Sequence, residues 1–225
     1  MNNERTKANQ MPPKIILWGA IGQAKLIKDV IDYSDSRVIA VFDSNPNFSS
    51  PFSDVPIYHG WEQFLEWVKD QDKSELGFVV GTAMEGRKFR LELYDRFCEL
   101  GLRPVTLIHP SAIIARNAVI GEGSQIMAGT VIGPEAKLGK LCIINTKASV
   151  DHENVFEDGV EIAPGATLCG LVSVGANSWI AAGATVLPRI KIGRNCIVGA
   201  GSLVNKNVPD QTTVVGVPAK PLARK

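Results

Sequence analysis

Histidine is scarce in this chain of 225 residues: there are three, His59, His109 and His152. A zinc site of the hydratase kind needs about three imidazoles converging on one metal, and these three are too few and too scattered to supply it. Charge of one sign is also lacking. Lys and Arg number 24 against 23 Asp and Glu, a formal net charge of +1, so there is no basic footprint for nucleic acid. No run of 18 apolar residues occurs, which excludes a helical membrane span. The opening stretch MNNERTKANQMPP lacks the apolar centre of a secretory signal and reads as a flexible tail over residues 1–13.

What the chain has in quantity is a period. From residue 108 onward an aliphatic or aromatic residue returns at every sixth position: Ile108, Ile114, Ile120, and so on through Phe156, Ile162 and Leu168 to Val204. Small or β-branched residues stand two places earlier, among them Ser124, Cys142, Ala148, Asn154, Ala166 and Ser178. Gly often follows directly, as at Gly121, Gly133, Gly139, Gly175, Gly193 and Gly199. A period of six is neither the 3.6 of a helix nor the bare 2 of a meander. It is the hexapeptide repeat of a parallel β-helix. Side chains two apart share a face, so the six-fold site and the small residue before it both point inward. The Gly after each site is expected to provide unusual backbone angles at a corner. Three hexads make one coil of about 18 residues, and coils stack at roughly 4.8 Å. The phase never shifts, so no long loop is expected to leave the prism. Cys142 and Cys196 fall three coils apart, roughly 14 Å, beyond disulfide reach. The four cysteines therefore do not form a disulfide framework, and a reducing compartment, the cytoplasm, is expected.

Before the repeat, strands alternate with helices. Apolar runs at Lys14–Gly19, Arg37–Asp43, Leu76–Gly81 and Val105–Ile108 read as strands. Gly22–Tyr33, Trp61–Val68 and Arg87–Leu100 carry helical periodicity. Alternation of this kind predicts a parallel sheet with right-handed crossovers. The expected organisation is thus a flexible tail at 1–13, an α/β Rossmann-like domain at 14–107, an all-β parallel β-helix at 108–208, and a C-terminal capping tail at 209–225. Gly19-Ala20-Ile21-Gly22 is a glycine turn at a helix start, where backbone N–H groups can hold a phosphate. Asp43 and Gly81 end the next two strands in the same row. By itself the turn is equally readable as structural, because it lacks the full G-x-G-x-x-G pattern.

In the repeat, His152 follows the inward Val150 and so lies at a corner, side chain outward, between Asp151 and Glu153. Histidine suits general-base work near neutral pH, and a flanking carboxylate can orient the ring. One coil on, Gly170 is expected about one strand spacing from His152. Its backbone N–H could hold the oxyanion of an acyl-transfer intermediate, or Gly170 could be a corner glycine and no more.

These features together resemble the sialic-acid-type and bacillosamine-type sugar O/N-acyltransferases. The resemblance rests on GAIGQA at 19–24, FDS at 42–44, INTKASVDHE at 144–153, IAPGATLCG at 162–170 and VGVPAKPL at 215–222. It implies a left-handed β-helix, a homotrimer, and transfer of acetyl from acetyl-CoA to an amine or hydroxyl of a sugar, without a metal. It implies His152 as the base and Glu153 as its partner, with Asn145 near the sugar. Ile21, Gly22, Gln23, Asp43, Ser44 and Gly81 would hold a nucleotide-linked amino sugar, and Glu161, Ala182 and Ala200 would contact acetyl-CoA. Gln23 stands where the family often has His, and Glu161 is an acid where an anionic cofactor is expected. The reading is N-acetylation of a 4-amino-6-deoxy sugar, UDP-linked by family frequency. Alternatives are a GDP- or dTDP-linked amino sugar, sialic-acid O-acetylation, and a non-catalytic trimerising scaffold. A dinucleotide oxidoreductase is excluded, since the first domain has too few strands for two nucleotide-binding halves.

Overall fold

The structure is a computed structural model and describes residues 11–82 and 87–222. The expected tail at 1–13 falls mostly outside these. Within it, Pro12 is already buried, and the Pro13 carbonyl accepts the Arg37 N–H at 3.0 Å. The chain forms two compact units: one of residues 11–82 with Glu92–Val105, the other of residues 87–91 with 106–222.

The first unit is a five-stranded parallel sheet: β1 (Lys14–Trp18), β2 (Arg37–Asp43), β3 (Ile57–His59), β4 (Leu76–Val80) and β5 (Arg103–Pro104), in the order β3-β2-β1-β4-β5. Its helices are α1 (Gly22–Ile31), α2 (Gly60–Val68) and the part of α3 (Arg87–Glu99) from Glu92 onward, residues 87–91 belonging to the second unit. β4 is buried at every residue, as a strand covered on both faces must be. Trp18 sits amid Phe42, Trp61, Phe64 and Phe97, with ring centroids 5.7–6.2 Å apart. The strand order reverses between β1 and β4. The turns that follow those two strands, Gly19–Ile21 and Gly81–Thr82, therefore flank a topological switch point, where open α/β sheets form their ligand crevice.

Two expectations change here. The edge strand β3 carries no strong apolar alternation and is not read from sequence. The run expected as one strand, Val105–Ile108, is divided. Arg103–Pro104 closes this sheet, while Leu107–Ile108 pairs with Gln125–Ile126 in the second unit.

From Leu107–Ile108 to Leu203–Val204, seventeen two-residue strands follow one another, and each ends on a six-fold site. Each strand as far as Thr185–Val186 pairs in parallel with the one three further on, as Ser149↔Thr167 and Val150↔Leu168 do. This gives three sheets around one axis, the arrangement typical of left-handed β-helices built from hexapeptides. The interior is a continuous stack that includes Ile144, Val150, Ile162, Leu168 and Ile180, all 0% exposed. Each such side chain contributes about 1.5–3 kcal/mol on burial. Ile108 in the first strand remains 45% exposed. Thr213–Val215 adds a further parallel strand beside Ile197–Val198, and Lys220–Pro221 returns antiparallel to it.

The glycines that follow the sites have a different reason from the one expected. Left-handed backbone falls three residues past the site, at Gly123, Gly129, Gly165 and Gly183 but equally at Leu141, Glu153 and Arg189. The glycine directly after the site has ordinary angles. A Cβ on Gly133 would lie 2.8 Å from the carbonyl carbon of Asp151 and the nitrogen of His152 in the next coil. Close approach of stacked backbones, not backbone conformation, demands glycine there.

Candidate active site

His152 stands at a corner of the prism with its side chain half exposed. Its backbone N–H donates to Asp151 Oδ1 at 2.7 Å, and its Nδ1 lies 3.0 Å from Glu153 Oε2. Glu153 adopts φ 57°, and its N–H donates to the Pro134 carbonyl at 2.9 Å. The left-handed corner thus turns the Glu153 carboxylate back onto the ring beside it. Nδ1 is occupied by Glu153, which leaves Nε2 as the nitrogen available to a substrate. The expected partner is Glu153; Asp151 instead caps the backbone.

Gly170 is where the 18-residue coil puts it. Leu171 N–H donates to the His152 carbonyl at 3.0 Å, and the imidazole occupies the space a Gly170 Cβ would take, against Cε1 and Nε2. Corner amides elsewhere are often taken by carboxylates, as Ala176 N–H is by Glu157 at 2.9 Å and Arg194 N–H by Asp210 at 2.8 Å. Among the described residues the Gly170 N–H makes no such bond. Asn145 is buried, and its Oδ1 accepts the Thr146 N–H at 2.8 Å.

Of the positions expected to face acetyl-CoA, Ala182 and Ala200 are exposed and stack one coil apart, joined by Gly201 N–H to the Ala182 carbonyl at 2.9 Å. Glu161 is placed differently: it is 2% exposed. Arg90, 0% exposed, sets its Nη1 at 3.6 Å from Glu161 Oε2 and donates from Nη2 to the Gly159 carbonyl at 2.8 Å. The Glu161 carboxylate is therefore already paired and out of solvent. This pair joins residues 71 positions apart, and no sequence motif announces it.

In the first unit, Gly19 has φ 116°, and a Cβ there would come within 3.1 Å of the Gly81 carbonyl carbon, so the two turns at the switch point touch. Asp43 braces the turn: Oδ2 accepts the Ala20 N–H at 2.8 Å, and Oδ1 accepts the Asn45 N–H at 2.9 Å. Both oxygens thus hold backbone, with one lone pair each left for a ligand. The start of α1 is open. Ile21, its cap residue, makes no side-chain cap and is 53% exposed, and a Cβ on Gly22 would meet nothing within 4 Å. Gln23 is buried and Ser44 exposed. No cluster of three metal-ligating side chains occurs among the described residues, and no helix there is long and apolar enough to cross a membrane.

Residues 171–206 match the family model for bacterial transferase hexapeptide (six repeats). A perosamine N-acetyltransferase from Caulobacter crescentus, solved as a histidine-to-asparagine mutant in complex with CoA and GDP-perosamine, superposes with a TM-score of 0.84 at 31% identity, covering 94% of this chain and 97% of that one. The acetyltransferase domain of PglB from Neisseria gonorrhoeae FA1090, in complex with acetyl coenzyme A, gives 0.82 at 27%, covering 93% and 99%. The UDP-N-acetylbacillosamine N-acetyltransferase of Bacillus subtilis (strain 168) is 37% identical over 125 residues, 51% of each chain. The matched stretches span about half the length of the curated relatives. Fold and repeat define a hexapeptide-repeat transferase. Within that class, the chain belongs to the amino-sugar acyltransferase family that includes the perosamine and bacillosamine N-acetyltransferases.

Proposed function

We propose that this protein transfers acetyl from acetyl-CoA to the 4-amino group of a nucleotide-linked 4-amino-6-deoxy sugar. The observation that carries the reading is the corner at His152. There Glu153 holds one ring nitrogen, and the other faces the side where Gly170 presents an uncommitted N–H.

The amine attacks the thioester carbonyl directly. His152 Nε2 takes the proton from the attacking nitrogen, and Glu153 stabilises the imidazolium. The Gly170 N–H donates to the oxyanion of the tetrahedral intermediate. When this collapses, the C–S bond breaks and the CoA thiolate leaves, receiving a proton from His152. General-base help of this kind is worth about 10²- to 10⁴-fold, and one oxyanion donor about 10²- to 10³-fold.

The first unit serves as a Rossmann-like domain over about 14–107, the prism as the acetyltransferase domain over 108–208, and residues 209–225 as its cap. The nucleotide sugar lies at the switch point, with its phosphates on the open start of α1 at Ile21, Gly22 and Gln23, and with Asp43, Ser44 and Gly81 around it. Asn145 meets the sugar. Acetyl-CoA runs along the Ala182–Ala200 corner, with Glu161 near it, at the seam between subunits of a homotrimer. The free cysteines support a cytoplasmic enzyme. Two nucleotides have equal claim: UDP, from the Bacillus relative, and GDP, from the Caulobacter enzyme.

The test is thiol release from acetyl-CoA with UDP-, GDP- and dTDP-linked 4-amino-6-deoxy sugars and with free sialic acid. Turnover of one amino sugar, lost in His152→Ala, supports the reading and identifies the nucleotide. Turnover of sialic acid alone makes the protein an O-acetyltransferase. No turnover and no acetyl-CoA binding would leave a scaffold.

A further inference from the structure

The inward positions two before each site hold small or apolar residues, and Asn154 is the single asparagine among them. Its stacked neighbours one coil away on either side are Ala136 and Val172. Asn154 is 0% exposed, inside the apolar stack. Its Nδ2 donates to the Asp151 carbonyl at 2.7 Å and the Cys169 carbonyl at 3.0 Å, with a longer approach of 3.4 Å to the His152 carbonyl. Its Oδ1 is buried and has no hydrogen-bond partner among the described residues. An orphaned buried acceptor is destabilising, by about 1–3 kcal/mol. That cost offsets the two short Nδ2 bonds, worth about 0.5–1.5 kcal/mol each, so Asn154 adds little net stability over the Ala136 and Val172 that stand one coil away.

The carbonyls it joins locate its effect. Asp151 and His152 form the corner that carries the base. Cys169 precedes Gly170, against which the ring of that base is seated. One amide thus ties the His152 corner to the Gly170 corner from inside the prism. Other inward polar residues do part of this: Ser178 Oγ donates to the Gly193 carbonyl at 2.7 Å, and Ser124 Oγ to the Gly139 carbonyl at 3.2 Å, both 15 residues ahead, as Cys169 is from Asn154. A hydroxyl makes the bond to the next coil in these two, and in Thr130 it makes the bond back, to the Met127 carbonyl at 2.7 Å. With one proton it holds one carbonyl closely at a time, whereas the two N–H groups of the Asn154 amide hold both at once.

We propose that Asn154 is a positioning residue for acyl transfer: it fixes His152 relative to the Gly170 N–H without touching substrate. This rests on His152 being the base. A loss of alignment of about 1 Å can cost on the order of 100-fold in rate, while substrate binding, made elsewhere, is left alone.

The test compares Asn154→Ser, Asn154→Val and Ser178→Ala with the full-length enzyme, by kcat and KM for both substrates and by thermal melting. Asn154→Ser keeps one donor, which can hold the Cys169 carbonyl or the Asp151 carbonyl but not both at once. Its kcat is expected to fall about 10- to 100-fold with both KM values unchanged. Asn154→Val, which removes the orphaned oxygen, is expected to melt no earlier than wild type and to be as slow. Ser178→Ala, the same kind of tie away from the corner, lowers the melting temperature and leaves kcat alone. Wild-type kcat in Asn154→Ser overturns the proposal, as does a fall in KM and kcat together with early melting in both Asn154 variants. Full activity in His152→Ala is a separate result: it removes the base itself, and the reading of the reaction with it.

Discussion

The imidazole of His152 occupies the space that a side chain on Gly170 would need, one coil along the prism. Gly170→Ala therefore cannot be accommodated with the ring where it is. The backbone angles at Gly170 are ordinary, so Ala suits the corner itself, and the clash is relieved by swinging His152 away. The expected outcome is a melting temperature close to wild type and a kcat lower by about 10- to 100-fold, measured by thiol release from acetyl-CoA. A kcat equal to wild type would show that the ring is not seated against Gly170 during turnover.

The prism was legible in the sequence because a hexad specifies direction, register and spacing together. All seventeen six-fold positions close a strand, and His152 and Gly170 could be placed against one another by counting 18 residues. Features that depend on partners distant in sequence were not legible. Leu107–Ile108 is apolar enough for either sheet, and only the fold decides that it pairs with Gln125–Ile126. The glycine after each site looked like a turn residue because the next coil, which forbids a Cβ there, is 18 positions away. Asn154 was read as one more inward residue of the repeat, and which carbonyls it reaches was not visible. The pairing of Glu161 with Arg90 has no local trace at all.

Cys142 and Cys196 are inward residues, and Cys98 and Cys169 are partly exposed. Burial pushes the Cys142 thiol up to about 12, and burial raises that of Cys196 as well. The thiolate is the reactive form. In the native protein near neutral pH, an aromatic disulfide reagent is expected to titrate Cys98 and Cys169 and to spare Cys142 and Cys196, with all four reacting in denaturant. Peptide mapping checks the assignment. Rapid labelling of Cys142 under native conditions would mean that the prism interior opens to solvent.

Arg194 bridges two corners of the prism, with Nε 2.7 Å from Glu157 Oε2 and Nη2 2.9 Å from Oε1. Arg194, together with the Ala176 N–H, holds the Glu157 carboxyl below its usual value. A carboxyl lowered on folding contributes stability above its unfolded value, and loses it as pH falls through the folded one. The pair is largely exposed, so the effect is small and screened by salt. The melting temperature of Glu157→Gln is expected below that of wild type at neutral pH, with the two curves converging as pH drops from about 5 to about 3. A gap that persists undiminished in acid would assign the loss to the Ala176 hydrogen bond instead of to charge.

Arg90 and Glu161 separate a structural role from a cofactor role at one position. Both are buried, and removing one leaves the other charge uncompensated, at about 3–5 kcal/mol. Arg90→Met is therefore expected to melt well below wild type. The double variant Arg90→Met/Glu161→Leu removes both charges and should recover much of the loss, since apolar replacement of a whole buried pair is often neutral or stabilising. The KM for acetyl-CoA discriminates between the two roles. If Glu161 acts only through the fold, the double variant binds acetyl-CoA as wild type does once its stability is restored. If the Glu161 carboxylate or the charge balance around it takes part in holding acetyl-CoA, KM rises in the double variant while the melting temperature recovers. Stability and KM then move independently, which a purely structural pair could not produce.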